Sequence, residues 1–137
     1  MRVMVIVKAS KESETGQMPC TEIITEMHKF NEELVKAGVM QGAEGLHASS
    51  KGVRVMFSGK TRTVIDGPFA ETKELIAGFW LWKVKSMEEA VEWLKRAPFD
   101  QTEVEIRRVI EPEDFGPNLT PELKEKEQRL RELAGRN

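Results

Sequence analysis

The apolar positions of the chain fall into short runs and spaced stripes that predict alternating strands and helices. Val3 to Val7 is an unbroken apolar run, which predicts a strand buried on both faces. "KASKESETGQMP" interrupts it with polar residues, Gly16 and Pro19, and predicts a loop. Ile23, Met27, Phe30 and Leu34 then recur at spacings of four and three, so a helix is expected over about Thr21–Ala37, stopped by Gly38. "VMQGAEGLH" predicts a second strand, weakened or bulged at Gly42 and Gly45. "VRVMFSG" and "KTRTVIDG" alternate around Ser58–Lys60 and predict a β-hairpin.

"IAGFWLWKV" is a further strand with Phe79 and Leu81 on one face and Trp80, Trp82 and Val84 on the other. Ser86, followed by Glu88 and Glu89, opens a helix that runs to Ala97, with Met87, Ala90, Val91 and Leu94 as its buried stripe. "TEVEIRRVI" is the last strand. The order β-α-β-β(-β)-β-α-β is the α+β, ferredoxin-like split βαβ pattern, whose sheet carries helices on one face only. Strands apolar on both faces need cover on the other side. A second copy of the sheet provides it, giving a homodimer through the sheet face; the alternative cover is the C-terminal tail.

The tail departs from this pattern. "EPEDFGPNL" is an acidic, Pro-containing connector, and "TPELKEKEQRLRELAG" is an extra helix with Thr120 at its N-cap, Pro121 at its first position and Gly135 after its last turn. The expected organisation is therefore a domain over 1–111 and a connector with helix over 112–137.

Length and charge narrow the function. One domain is expected for 137 residues. Twenty-one Lys and Arg stand against 23 Asp and Glu, spread along the chain, which gives no basic patch for nucleic acid. The single cysteine, Cys20, excludes an intramolecular disulfide and fits a reducing, cytoplasmic setting. The first apolar run is too short for a signal peptide, and nothing approaches the roughly 20 apolar residues of a membrane span. No nucleotide loop, nucleophile elbow or metalloprotease motif is present, so neither an organic cofactor nor a metal is expected.

What remains is a polar set in the middle third. His47 is one of two histidines, and an imidazole can give or take a proton near neutral pH. In an extended strand Glu44 and His47 fall on opposite sides unless a bulge realigns them. Asp66 heads a Gly-Pro turn, where it can stabilise its own backbone or aim a carboxylate at a cleft. Glu71, Lys73 and Glu74 follow on the same rim. Arg54 and Arg62, if paired across the hairpin, form a positive lip for a carboxylate or phosphate. Trp80 and Trp82 share a strand face and serve as core or as the floor of an aromatic pocket. His28 lies off the apolar stripe of its helix, which predicts a solvated side chain.

"FNEELVKAGVMQGAEGLH" followed by "VIDGPFAETKELIAGFWLWKVKSMEEAVEWLKRAP" resembles the DGPF subgroup of the YciI-like (YCII-related) proteins, over roughly Met1 to Glu111. The resemblance implies a ferredoxin-like fold that dimerises through its sheets as a dimeric α/β-barrel. Members of this family are largely without an established activity. A His-Asp pair in a cleft is the active site proposed for relatives, kinship with muconolactone isomerase-type and small monooxygenase-type dimers implies an enzyme, and occurrence beside sigma factors implies a regulatory role. The motif positions carried over are Glu44, Gly45, Leu46, His47, Asp66, Gly67, Pro68, Phe69, Glu71, Lys73, Glu74 and Gly78. Ala48 stands where the subgroup has Pro, and Phe79 and Trp80 stand where it often has Tyr, so no phenol acts here.

Two functions follow as expectations. One is a cofactor-free enzyme on a small carbonyl or lactone-like molecule, with His47 and Asp66 catalytic and with Glu44, Arg62, Phe69, Glu71, Lys73 and Trp80 binding the substrate. The other is a small-molecule-binding, sigma-factor-linked regulatory module without chemistry.

Overall fold

The computed structural model describes residues 1–135. Its central sheet is built from β1 (Arg2–Lys8), β2 (Met40–Gly45), β5 (Ile76–Lys83) and β6 (Val104–Arg108), in the order β2-β5-β1-β6, with every neighbouring pair antiparallel. A hairpin of β3 (Val53–Ser58) and β4 (Thr61–Asp66) forms a separate two-stranded sheet. The helices are α1 (Lys11–Glu14), α2 (Thr21–Lys36), α3 (Met87–Leu94) and α4 (Pro121–Gly135). This is an α+β chain with antiparallel sheets, compatible with a ferredoxin-like fold.

The core lies on one face of the sheet. Val3 and Val5 of β1, Trp80 and Trp82 of β5 and Val84 meet Phe30 and Leu34 of α2 and Ala90 of α3. Phe30 packs edge-on against Trp80 and Trp82 with ring centroids 5.9 and 6.3 Å apart, an arrangement favoured by the ring quadrupoles. The opposite face presents Met4, Ile6, Phe79 and Leu81, which are only half-buried. β1 is thus fully buried on one face, not both, in the single chain.

Two helical stripes differ from the periodicity argument. On α3 the residues packed on the core are Ala90, Trp93 and Leu94, joined by Ala97 just beyond its end, while Met87 and Val91 are exposed. The buried side centres on Ala90 and extends to the half-buried Trp93, whose ring also carries Arg96 at 4.5 Å. On α2, Met27, Phe30 and Leu34 pack as expected, but Ile23 is 52% exposed. The N-terminal part of α2 does not close onto the sheet, and the gap beneath it is the candidate site.

The expected loop 8–19 contains α1, a single turn closed by a capping box in which Ser10 Oγ accepts from Ser13 N and Ser13 Oγ accepts from Ser10 N. The bulge predicted in β2 is present as a register shift between Met40 and Gly42. The hairpin is also as predicted, but every residue of both strands is exposed. Its register pairs Arg54 with Ile65 and Phe57 with Arg62, so the expected cross-strand Arg54–Arg62 lip does not form. Each arginine instead covers a ring: Arg54 lies 3.8 Å over Phe69 and Arg62 lies 4.6 Å over Phe57.

The expected tail segment 112–137 is described as far as Gly135, and Arg136 and Asn137 lie outside the described residues. Its connector is tied to β1 by Glu111, which accepts from Arg2 Nε at 2.8 Å and from Arg2 Nη2 at 3.2 Å. α4 buries none of its residues, and Leu123, Leu130 and Leu133 are all exposed. Among the described residues no helix is long and apolar enough to cross a membrane.

Candidate functional site

A pocket of about 950 Å³ opens between the sheet and the raised end of α2. Trp80, Gly78 and Ala43 form its floor, Ile23 and Met27 of α2 its roof, and Phe99 closes one end. The segment from Ser10 to Cys20 and the strand exit from Gly45 to Ala48 complete the wall. Cys20, the N-cap of α2, is exposed and contributes to this wall.

Local backbone bonding delivers His47 to the site. The Leu46 N–H donates to the Ala77 carbonyl at 2.8 Å, which continues the β2–β5 ladder beyond the end of β2. Two residues further, Ser49 is held by a clasp. The Glu14 carboxylate accepts from both the backbone N–H (2.9 Å) and the hydroxyl of Ser49, and Ser49 Oγ accepts from Phe69 N–H at 3.0 Å. His47 therefore sits in a short span fixed at both ends, and α1 is fastened to the same point.

This clasp accounts for the glycine of "DGPF". Gly67 N–H donates to the Gly52 carbonyl at 2.9 Å, and a Cβ at Gly67 would overlap the Ser49 carbonyl. Only glycine lets the two turns lie this close. The Gly67–Pro68 peptide is cis. Gly78 is similarly constrained, since a Cβ there would lie 2.9 Å from the Glu44 carbonyl oxygen of the neighbouring strand.

Of the residues expected from sequence, the pocket wall takes in Glu44, His47 and Trp80. Pairing of Glu44 with Phe79 puts both side chains on the sheet face away from the helices. Glu44 thus reaches the wall at the strand edge, and His47 lies on the pocket side. The bulge lies upstream, at Gly42, and does not realign the two.

Asp66, Arg62, Phe69, Glu71 and Lys73 are outside this wall. Asp66 ends β4 opposite Val53 and is exposed, like the rest of that separate hairpin. Phe69 lies under Arg54. Glu71 hydrogen-bonds Glu74 and holds its carboxyl above the ordinary carboxylate range, against the opposing pull of Arg54 and Lys8. These two carboxylates gather near Arg54, not at the pocket. His28 is exposed, as expected.

Asn31 is a pocket residue that the sequence argument missed. Its Oδ1 accepts a hydrogen bond of 2.9 Å from Trp80 Nε1. The signal was present: Asn31 stands four residues after Met27, on the α2 stripe, where a polar side chain in an apolar row calls for a partner. Among the described residues no group of three or more His, Cys, Asp or Glu is placed to hold a metal ion.

A family model for the YCII-related domain matches residues 1–113. An uncharacterized protein of Rhizobium meliloti (strain 1021) is 29% identical over 73 residues, an alignment that spans 53% of this chain and 59% of that relative. The hairpin, the Gly67 turn and the pocket beneath α2 all lie within the matched region, and the chain belongs to the YCII-related family.

Proposed function

We propose that the protein is a small-molecule enzyme or sensor that takes a mostly apolar organic molecule into the pocket beneath α2, with His47 as the group that exchanges a proton with it. The observation that carries this reading is a mostly apolar pocket of about 950 Å³ with one imidazole, that of the exposed His47, at its wall, which sets acid-base chemistry at the mouth of an apolar space. Asp66 lies outside that wall, so this proposal assigns it no part in proton transfer. The working form is a homodimer in which a second copy covers Met4, Ile6, Phe79 and Leu81 on the open sheet face, as in a dimeric α/β-barrel.

The test is a small-molecule screen read by NMR. Hits are expected to shift the methyl signals of Ile23 and Met27. His47→Ala is expected to keep such binding and to abolish any turnover found with a hit. A screen whose hits all leave those methyls unmoved would sink the reading. A sensor without chemistry is favoured by one observation, the exposed leucines of α4, which offer a partner-docking face. Removal of residues 120–137 is then expected to abolish partner binding while ligand binding persists.

A further inference from the structure

Resting on the reading that the pocket takes a small molecule, we infer that its ligand is uncharged and carries an acceptor oxygen, such as a ketone or lactone carbonyl, that receives a hydrogen bond from the Asn31 amide. Trp80 fixes the orientation of the Asn31 amide. An indole N–H only donates, so the Asn31 atom 2.9 Å from Trp80 Nε1 must be the amide oxygen. That contact fixes which end of the amide is left, and Asn31 meets a pocket ligand as a donor, through Nδ2.

The other side-chain donors of the wall are either engaged or at its solvent edge: Gln17 and His47 are exposed, whereas Asn31 is half-buried on the floor side against Trp80. The Ser10 and Ser13 hydroxyls are engaged in the cap of α1, Ser13 Oγ also donating to the Ser10 carbonyl at 3.0 Å. The Glu44 side chain is on the far face of the sheet. Charge makes the second half of the argument. The wall contains Glu12, Glu44 and His47 and no Lys or Arg, while Arg54 and Arg62 are stacked on Phe69 and Phe57 outside it. A carboxylate or phosphate entering this apolar space would leave water without meeting a permanent cation. A neutral carbonyl compound meets a donor oriented in advance.

The test compares three probes of one shape by NMR titration at pH 8, followed at the Ile23 and Met27 methyls. They are 2-acetylnaphthalene, its carbon isostere 2-isopropenylnaphthalene, and the anion 2-naphthoate. The ketone is expected to bind about threefold to tenfold tighter than the isostere, the range of one hydrogen bond to a neutral acceptor, and naphthoate to bind weakest. Asn31→Leu is expected to erase the ketone's advantage while the isostere binds as before, which also shows that the variant is folded. Trp80→Phe, which frees the amide to turn over, is expected to shrink that advantage without abolishing binding. Equal affinity of ketone and isostere, a preference that survives Asn31→Leu, or tightest binding of naphthoate overturns the ligand class and leaves the pocket standing. Failure of all three probes to move the pocket methyls counts against the pocket itself.

Discussion

At Gly67 a single added methyl group has no room, because the Ser49 carbonyl already occupies the space. Gly67→Ala is expected to lower stability by about 1–3 kcal/mol, the range for overpacking a tight contact, in urea unfolding followed by tryptophan fluorescence. Glu14→Ala removes the acceptor for both Ser49 donors and should cost about 1–3 kcal/mol, with faster amide exchange over residues 46–52 as the local signature. An unchanged exchange pattern there would show that the clasp does not hold His47. At this scale the sequence disclosed residue types but not their directions. His47 and the Gly-Pro turn were legible. Asp66 and His47 looked like partners because each belongs to a shared motif set, yet a strand-pairing pattern decides where a side chain points, and β4 pairs only with β3. Asn31 stayed hidden because its partner, Trp80, is 49 residues away.

Elements were legible where a clear period or a turn residue marks them. α2, the hairpin and the β2 bulge followed from period and glycine placement. The α3 stripe was misjudged because Trp93 was left out of it: Ala90 and Leu94 pack as expected, and the buried side extends to Trp93 rather than to Met87 and Val91. The gap beneath α2 was invisible for a different reason: Ile23 satisfies the apolar period whether it lines a core or a pocket. α4 is the element least supported by the rest of the chain. Thr120 Oγ1 accepts from Leu123 N–H at 3.3 Å, so Thr120→Ala is expected to lower the helicity of α4, at about 1 kcal/mol for a lost N-cap, in far-ultraviolet circular dichroism. The main tryptophan unfolding transition should stay in place, since α4 contributes no buried residue.

For the whole molecule, the α+β pattern and the two helices on one face followed from element order, while association rested on the two-faced strands. Leu81 lies near the middle of the open face, opposite Met4. Leu81→Glu is expected to convert a dimer to a monomer in light scattering coupled to gel filtration; a wild-type chain that runs as a monomer removes the premise. The connector adds a pH dependence. Hydrogen bonds from Arg2 hold the Glu111 carboxyl below the ordinary carboxylate range. Its folded pKa is therefore lower than its unfolded one, and the tether is at full strength above about pH 4.3, the usual glutamate value. It weakens as pH falls through the lower folded value. The protection of the Val109 amide, taken relative to its intrinsic exchange rate at each pH, should fall over that acid range, and Arg2→Met should abolish the dependence.

The clasp between Glu14, Ser49 and Phe69 has a kinetic consequence. The pocket floor belongs to the aromatic core, but the segment from Ser10 to Cys20 over its mouth is fastened by one carboxylate and one serine. Opening that flap requires breaking a few surface bonds and no core packing, so it is a local fluctuation separable from unfolding. For a molecule bound as proposed, loosening the clasp at Glu14 should raise the rates of entry and escape together while the affinity, set by the floor, changes little.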